Sequence, residues 1–182
     1  LHRVFTDGAV THLLRAGVVS DAECWQWDGA VVAFWCKVLG RTFTDAQATQ
    51  FFLPLHLGGI GLQSALWRRA PAFLGSWELC FHGVARALGF PAAASFRAAC
   101  PLAAAAVAET YSVVAPGQTF GWTQCFGASQ PKRQKAYSER VNEQKHRALL
   151  AMLPEEDRVD VRSAGGSGAG LFLLPPDHPD HK

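Results

Sequence analysis

Residues 51–77, "FFLPLHLGGIGLQSALWRRAPAFLGSW", decide how the chain is read. Three glycines, Gly58, Gly59 and Gly61, interrupt an apolar run that carries no Asp, Glu, Lys or Arg before Arg68. A phosphate-binding loop would need a strand before it, a helix N-terminus aimed at the anion after it, and a lysine at a fixed offset. Pro54 interrupts any strand here, and no lysine occurs from 38 to 131. The glycines therefore read as a turn that needs a positive φ or a close backbone approach. Ser64 is expected to cap a turn of helix after them, and Pro71 to start or kink the next one.

Outward from this stretch the pattern is helical. Upstream, a helix over about 6–16 sets Val10, Leu13 and Leu14 on one face and stops at Gly17. Ser20 and Glu23 form a capping box for a second helix that ends at Gly40. Its Cys24, Val31, Phe34, Trp35 and Val38 follow helical spacing, so the Trp-rich stripe reads as core rather than as a cofactor box. Thr44 and Gln47 box a short helix that must stop before Pro54. Downstream, Phe73, Leu74, Trp77, Phe81, Val84, Ala85 and Leu88 make an amphipathic stripe closed by Gly89. Pro101 divides the Ala-rich run 95–114 into two helical pieces, and 115–131 reads as loop. Residues 132–153 favour helix strongly, and Pro154 opens a last short helix with acids in its first turn. The expected fold is mainly α: a helical bundle with a Gly-rich turn and a C-terminal basic helical arm. Its expected parts are a bundle over 1–115, a loop over 116–131, the arm over 132–163 and a Gly/Pro-rich tail over 164–182.

The totals agree with a folded chain. Of 182 residues, 49% are hydrophobic and six are tryptophan, enough for a core. A net charge of +2 says little about partners. Five cysteines, an odd number with no C-x-x-C pair, point to a reduced, intracellular protein in nucleus or cytoplasm. The run 98–108 is too short for a bilayer, which needs about 20 apolar residues, so no membrane partner is expected. The start shows no signal-peptide pattern. Without an initiator methionine, the chain reads as a piece of a longer protein.

Chemistry-bearing clusters are sparse. His56, Cys80 and His82 do not reach the four-ligand pattern of structural zinc, and Cys80 and His82 read as packing inside an apolar helix. His178 and His181 sit in a terminal "DHPDHK" that reads as frayed. No G-x-S-x-G elbow or Ser-His-Asp spacing occurs. The stretch 132–147 sets six bases, Lys132, Arg133, Lys135, Arg140, Lys145 and Arg147, against Glu139 and Glu143. Two readings stay open for it, a solvated helix face and a sequence-independent contact with nucleic-acid phosphates.

The segments "LPLHLGGIGLQSA" (53–65) and "APAFLGSW" (70–77) resemble the region just downstream of the catalytic core in reverse transcriptases of non-LTR retrotransposons. "THLLRAG" (11–17) is similar to the opening helix of that family's thumb, and "DRVDVRSAGGSGAGLFL" to a segment ahead of its Cys/His-rich element. The resemblance covers both ends and the middle of the chain, in the family's order. It implies a thumb-and-connector piece that grips an RNA or RNA–DNA duplex beside the palm, fingers and C-terminal domains of a parent polyprotein. Implied contacts are His12 and Arg15, Lys37 and Arg41, Arg68 and Arg69, and the bases of 132–147. The family's polymerase holds Mg through an aromatic-x-Asp-Asp signature. This chain has no adjacent Asp pair, and no Cys/His cluster follows Leu171. The implied piece is accordingly non-catalytic and needs no cofactor of its own. The alternative is a helical protein-interaction module that docks on partner domains.

Overall fold

The computed structural model describes residues 10–17, 19–125 and 133–165. Lys132, the start of the first helix, "LFLLPP" and the tail histidines lie outside them. The described residues are helical, with no strand among them. In order they are α1 (residues 10–16), α2 (Asp21–Leu39), α3 (Asp45–Phe52), a 3-10 turn (Leu55–Leu57), α4 (Ala65–Ala87), α5 (Ala93–Ala99), α6 (Pro101–Val114), α7 (Trp122–Cys125), α8 (Arg133–Met152) and α9 (Glu155–Ala164). No described helix is long and apolar enough to cross a membrane.

Contacts group these elements into two units. Among the described residues, one joins Asp21–Ala65 to those from 142 to 165, and the other joins those from 10 to 20 to those from 66 to 141. The grouping differs from the composition boundaries near 115 and 132, and α8 shows why. Its Tyr137 and Val141 are buried in the second unit's core, and its Leu149 is buried in the first. A helix that is basic in composition still carries an apolar stripe that must be covered.

In the first unit, α3 starts as the sequence requires. Thr44 Oγ1 accepts from Gln47 N–H at 3.3 Å, and Gln47 Oε1 accepts from Thr44 N–H at 3.0 Å. The helix stops at Phe52, ahead of Pro54. The start of α4 uses a longer-range device. Asp28 of α2 accepts from Ala65 N–H at 2.7 Å and from the Ser64 hydroxyl at 2.5 Å. This places a carboxylate on the positive end of α4. The Trp-rich stripe of α2 departs from its expected role. Only Cys24 of that helix is buried, while Trp25 is 70%, Phe34 54% and Val38 56% exposed. Trp35 does turn inward, edge-on to Phe51 at 5.7 Å between ring centres.

In the second unit, α4 runs unbroken through Pro71, which neither starts nor ends a helix. The proline ring is fully buried, and a proline there removes one backbone hydrogen bond that packing must outweigh. Leu74, Phe81 and Ala85 face inward from α4, whereas Val84 and Leu88 are exposed. They meet Phe96 of α5, Val107 and Val114 of α6, and Tyr137 and Val141 of α8. The presumed loop 115–131 contributes core: Phe120 is buried, and α7 carries Trp122 against Phe81 and Phe96. Helices α4 and α8 approach closely at Gly75, where a Cβ would stand 2.5 Å from the Cβ of Gln134.

Candidate nucleic-acid interface

The three glycine N–H groups of the turn are spent on its own backbone and do not point at an anion. Gly58 N–H donates to Leu55 O at 3.0 Å, Gly59 N–H to Pro54 O at 3.2 Å and Gly61 N–H to Leu53 O at 2.9 Å. A phosphate cradle needs such groups unspent and convergent. Gly58 and Gly61 have φ of +79° and +77°, in the left-handed region. A Cβ on Gly58 would also lie 2.3 Å from Val161 O, and one on Gly59 2.0 Å from Leu53 O. The turn is thus a structural joint in which α9 sits directly against the glycine backbone.

The proposed cations separate into two kinds. In the second unit, Arg15, Arg68, Arg69 and Arg133 make internal contacts. Arg15 donates to Gln134 Oε1 at 2.8 and 3.2 Å, Arg68 to the Thr11 hydroxyl, and Arg69 to Val19 O at 2.8 Å. Arg133 Nε lies 3.6 Å from Glu78 Oε2. These four fasten α1, the residues after it, α4 and α8 to one another. Lys135 and Arg140, also in this unit, face solvent. Lys135 pairs with Glu139 at 3.7 Å on a side chain that is 74% exposed, a contact that water and salt largely screen. Arg140 has no partner among the described residues. In the first unit, Lys37, Arg41, Lys145 and Arg147 are exposed. Arg41 lies 5.4 Å from the centre of the Phe43 ring, and Arg147 pairs with Glu143 at 3.7 Å. His12 is exposed on α1.

Two titratable groups of α8 have environments the sequence did not announce. Tyr137 donates to Glu78 Oε1 at 2.5 Å. Burial first, and then the Glu78 carboxylate, hold its phenol protonated far above the ordinary tyrosine range. This pair joins α8 to α4 alongside Arg133. In the first unit, His146 Nε2 is buried with no hydrogen-bond partner. Burial, then the charge of Arg162, then His56 hold its pKa below the ordinary 6.5.

The sign for His146 follows from linkage. Its folded-state pKa is depressed, so folding favours the neutral ring, and the unfolded chain binds the proton more readily. The contribution to stability is present above about pH 6.5 and is lost as pH falls below it. Urea midpoints are expected to drop between pH 7.5 and 5.5, and His146→Gln is expected to flatten that slope. An unchanged slope in the variant would assign the pH dependence elsewhere.

No three metal-capable side chains converge among the described residues. Cys80 and His82 are both exposed, so neither packs as expected. Cys24, Cys36, Cys80 and Cys100 form no disulfide. No family profile, characterised protein or solved structure matches the chain.

Proposed function

We propose that this chain is the non-catalytic thumb and connector portion of a non-LTR retrotransposon reverse transcriptase, gripping template–primer RNA or RNA–DNA duplex by its phosphates. The order of the motifs around Gly58–Gly61, Ala70–Trp77 and Asp157–Ala164 supports the family. Lys135 and Arg140 support the grip most directly, because they hold solvent-facing cations on a helix that the core has already fixed. A preordered cation loses less side-chain freedom on binding than one on a loose segment. The parent enzyme's Mg finds no fit here: the chain has no adjacent Asp pair, and no three metal-capable side chains converge among the described residues. No catalytic step is assigned to it.

The test is the anisotropy of a labelled RNA–DNA hybrid titrated with the chain at increasing salt. Affinity is expected to fall steeply, with a log–log slope of about −0.9 for each phosphate neutralised. Lys135→Glu with Arg140→Glu is expected to flatten that slope by about two and weaken binding about tenfold or more at low salt. Binding that ignores salt would overturn the reading.

A second reading, a helical interaction module, is favoured by the solvent-exposed apolar side chains of α2. Trp25, Phe34, Val38 and Leu39 are each about half exposed or more. If Phe34→Ser abolished association with a palm fragment while the hybrid titration stayed unchanged, this second reading would gain.

A further inference from the structure

The first unit contains a cleft of about 820 Å³. Trp35 of α2, Phe43 and Phe51 around α3, and Leu149 of α8 give it apolar walls. That volume suits a small ligand or the anchoring side chains of a short peptide segment. Its charged groups are few: Arg41, Asp157 and Asp160. Arg41 is placed by the Phe43 ring at 5.4 Å. Asp157 and Asp160 are exposed on α9, and their carboxylates have no ion-pair or hydrogen-bond partner among the described residues. The cation next to Asp157 on their helix is spent elsewhere. Arg158 pairs with Glu155 at 3.0 Å and donates to Leu153 O at 2.8 Å.

Two carboxylates with no bonded partner, beside aromatic walls, select among occupants. A phosphate backbone would meet like charge there. An apolar segment with no charge would leave the carboxylates unused. A segment with bulky apolar side chains next to a Lys or Arg satisfies both features, and an Arg beside apolar anchors is a frequent centre of binding energy. We propose that this cleft is a docking site for such a basic–apolar segment of a protein partner. The apolar side chains enter between Trp35, Phe51 and Leu149, and the cation meets Asp157 and Asp160. This site uses neither Lys135 nor Arg140, so it stands or falls separately from the duplex grip. No sequence motif announces it, because its walls come from segments far apart in the chain.

Two fluorescein-labelled peptides, LLRALLRALL and LLEALLEALL, test it by anisotropy with the full chain, with amide shifts locating the contact. The Arg peptide is expected to bind about tenfold or more tightly than the Glu peptide. Asp157→Lys with Asp160→Lys, both at exposed positions, is expected to reverse that order. Leu39→Gln, on the cleft wall, is expected to weaken both peptides. Equal affinities, an order unchanged by the charge reversal, or no binding by either peptide would overturn the site. So would an RNA–DNA hybrid that shifts the cleft amides where the peptide does not. Hybrid binding lost only in Lys135→Glu/Arg140→Glu would leave the cleft result untouched.

Discussion

Gly59→Ala is expected to destabilise the first unit by about 3 kcal/mol or more, through overpacking against backbone and loss of a turn hydrogen bond. The added Cβ would stand 2.0 Å from Leu53 O, 2.4 Å from Leu53 C and 2.6 Å from Gln50 O. None of these atoms ends a flexible side chain, so relief requires moving the main chain. Leu53 is fully buried, and its carbonyl accepts from Gly61 N–H at 2.9 Å. Moving it opens the turn and disturbs Gly58, against which Val161 O rests. Gly29 and Gly83 supply the contrast. Both lie in helices, and an added Cβ would meet nothing within 4 Å at either position. Alanine there should stabilise by up to about 1 kcal/mol through helix propensity. Urea denaturation of the three single variants checks the opposite signs. A Gly59→Ala midpoint equal to that of the parent would remove the turn from its structural role.

How far the sequence reveals this arrangement depends on the range of each interaction. The α3 capping box is legible because Thr44 and Gln47 are three residues apart and bond each other. The stops at Gly17 and Gly40 are legible because both take positive φ, at 70° and 65°. The partner of Ser64 is not, since Asp28 lies on another helix. Periodicity marks an apolar face but does not say whether anything covers it. The same spacing describes α4, whose Phe81 is buried, and α2, whose Phe34 is not. Composition misleads in the other direction for α8. Its bases suggested an arm, yet Tyr137, Val141 and Leu149 recur on one stripe and are buried.

The candidate site shows the same limit for charge. Arg68 and Arg69 look equivalent in sequence to Lys135 and Arg140, but the first two are half-buried and bonded across the fold to Thr11 and Val19. A count of bases cannot separate a cation that fastens helices together from one held out to solvent. That separation narrows the proposed duplex grip to a few side chains whose reversal should not unfold the chain, and this is what makes the salt titration interpretable.

Phe81→Ala is expected to be the most damaging single truncation in the second unit, at about 3–5 kcal/mol. Phe81 is 1% exposed and touches rings from three directions. Trp77 lies 5.1 Å away in a stacked arrangement, Phe96 4.7 Å away edge-on, and Trp122 6.1 Å away edge-on. Truncation removes the transfer energy of the ring, leaves a cavity, and deletes three aromatic pairs that add about 0.5–1.5 kcal/mol each beyond area alone. Those pairs span α4, α5 and α7, so the cavity cannot collapse without moving all three elements. Against a total of about 5–15 kcal/mol for a domain of ordinary stability, the loss is a large share. Phe81→Leu keeps most of the volume and should cost less than half as much. Tryptophan emission followed through urea unfolding measures the effect directly, because Trp77 and Trp122 both border the ring. A midpoint for Phe81→Ala no lower than that of Phe81→Leu would show that the unit is not held together at this cluster.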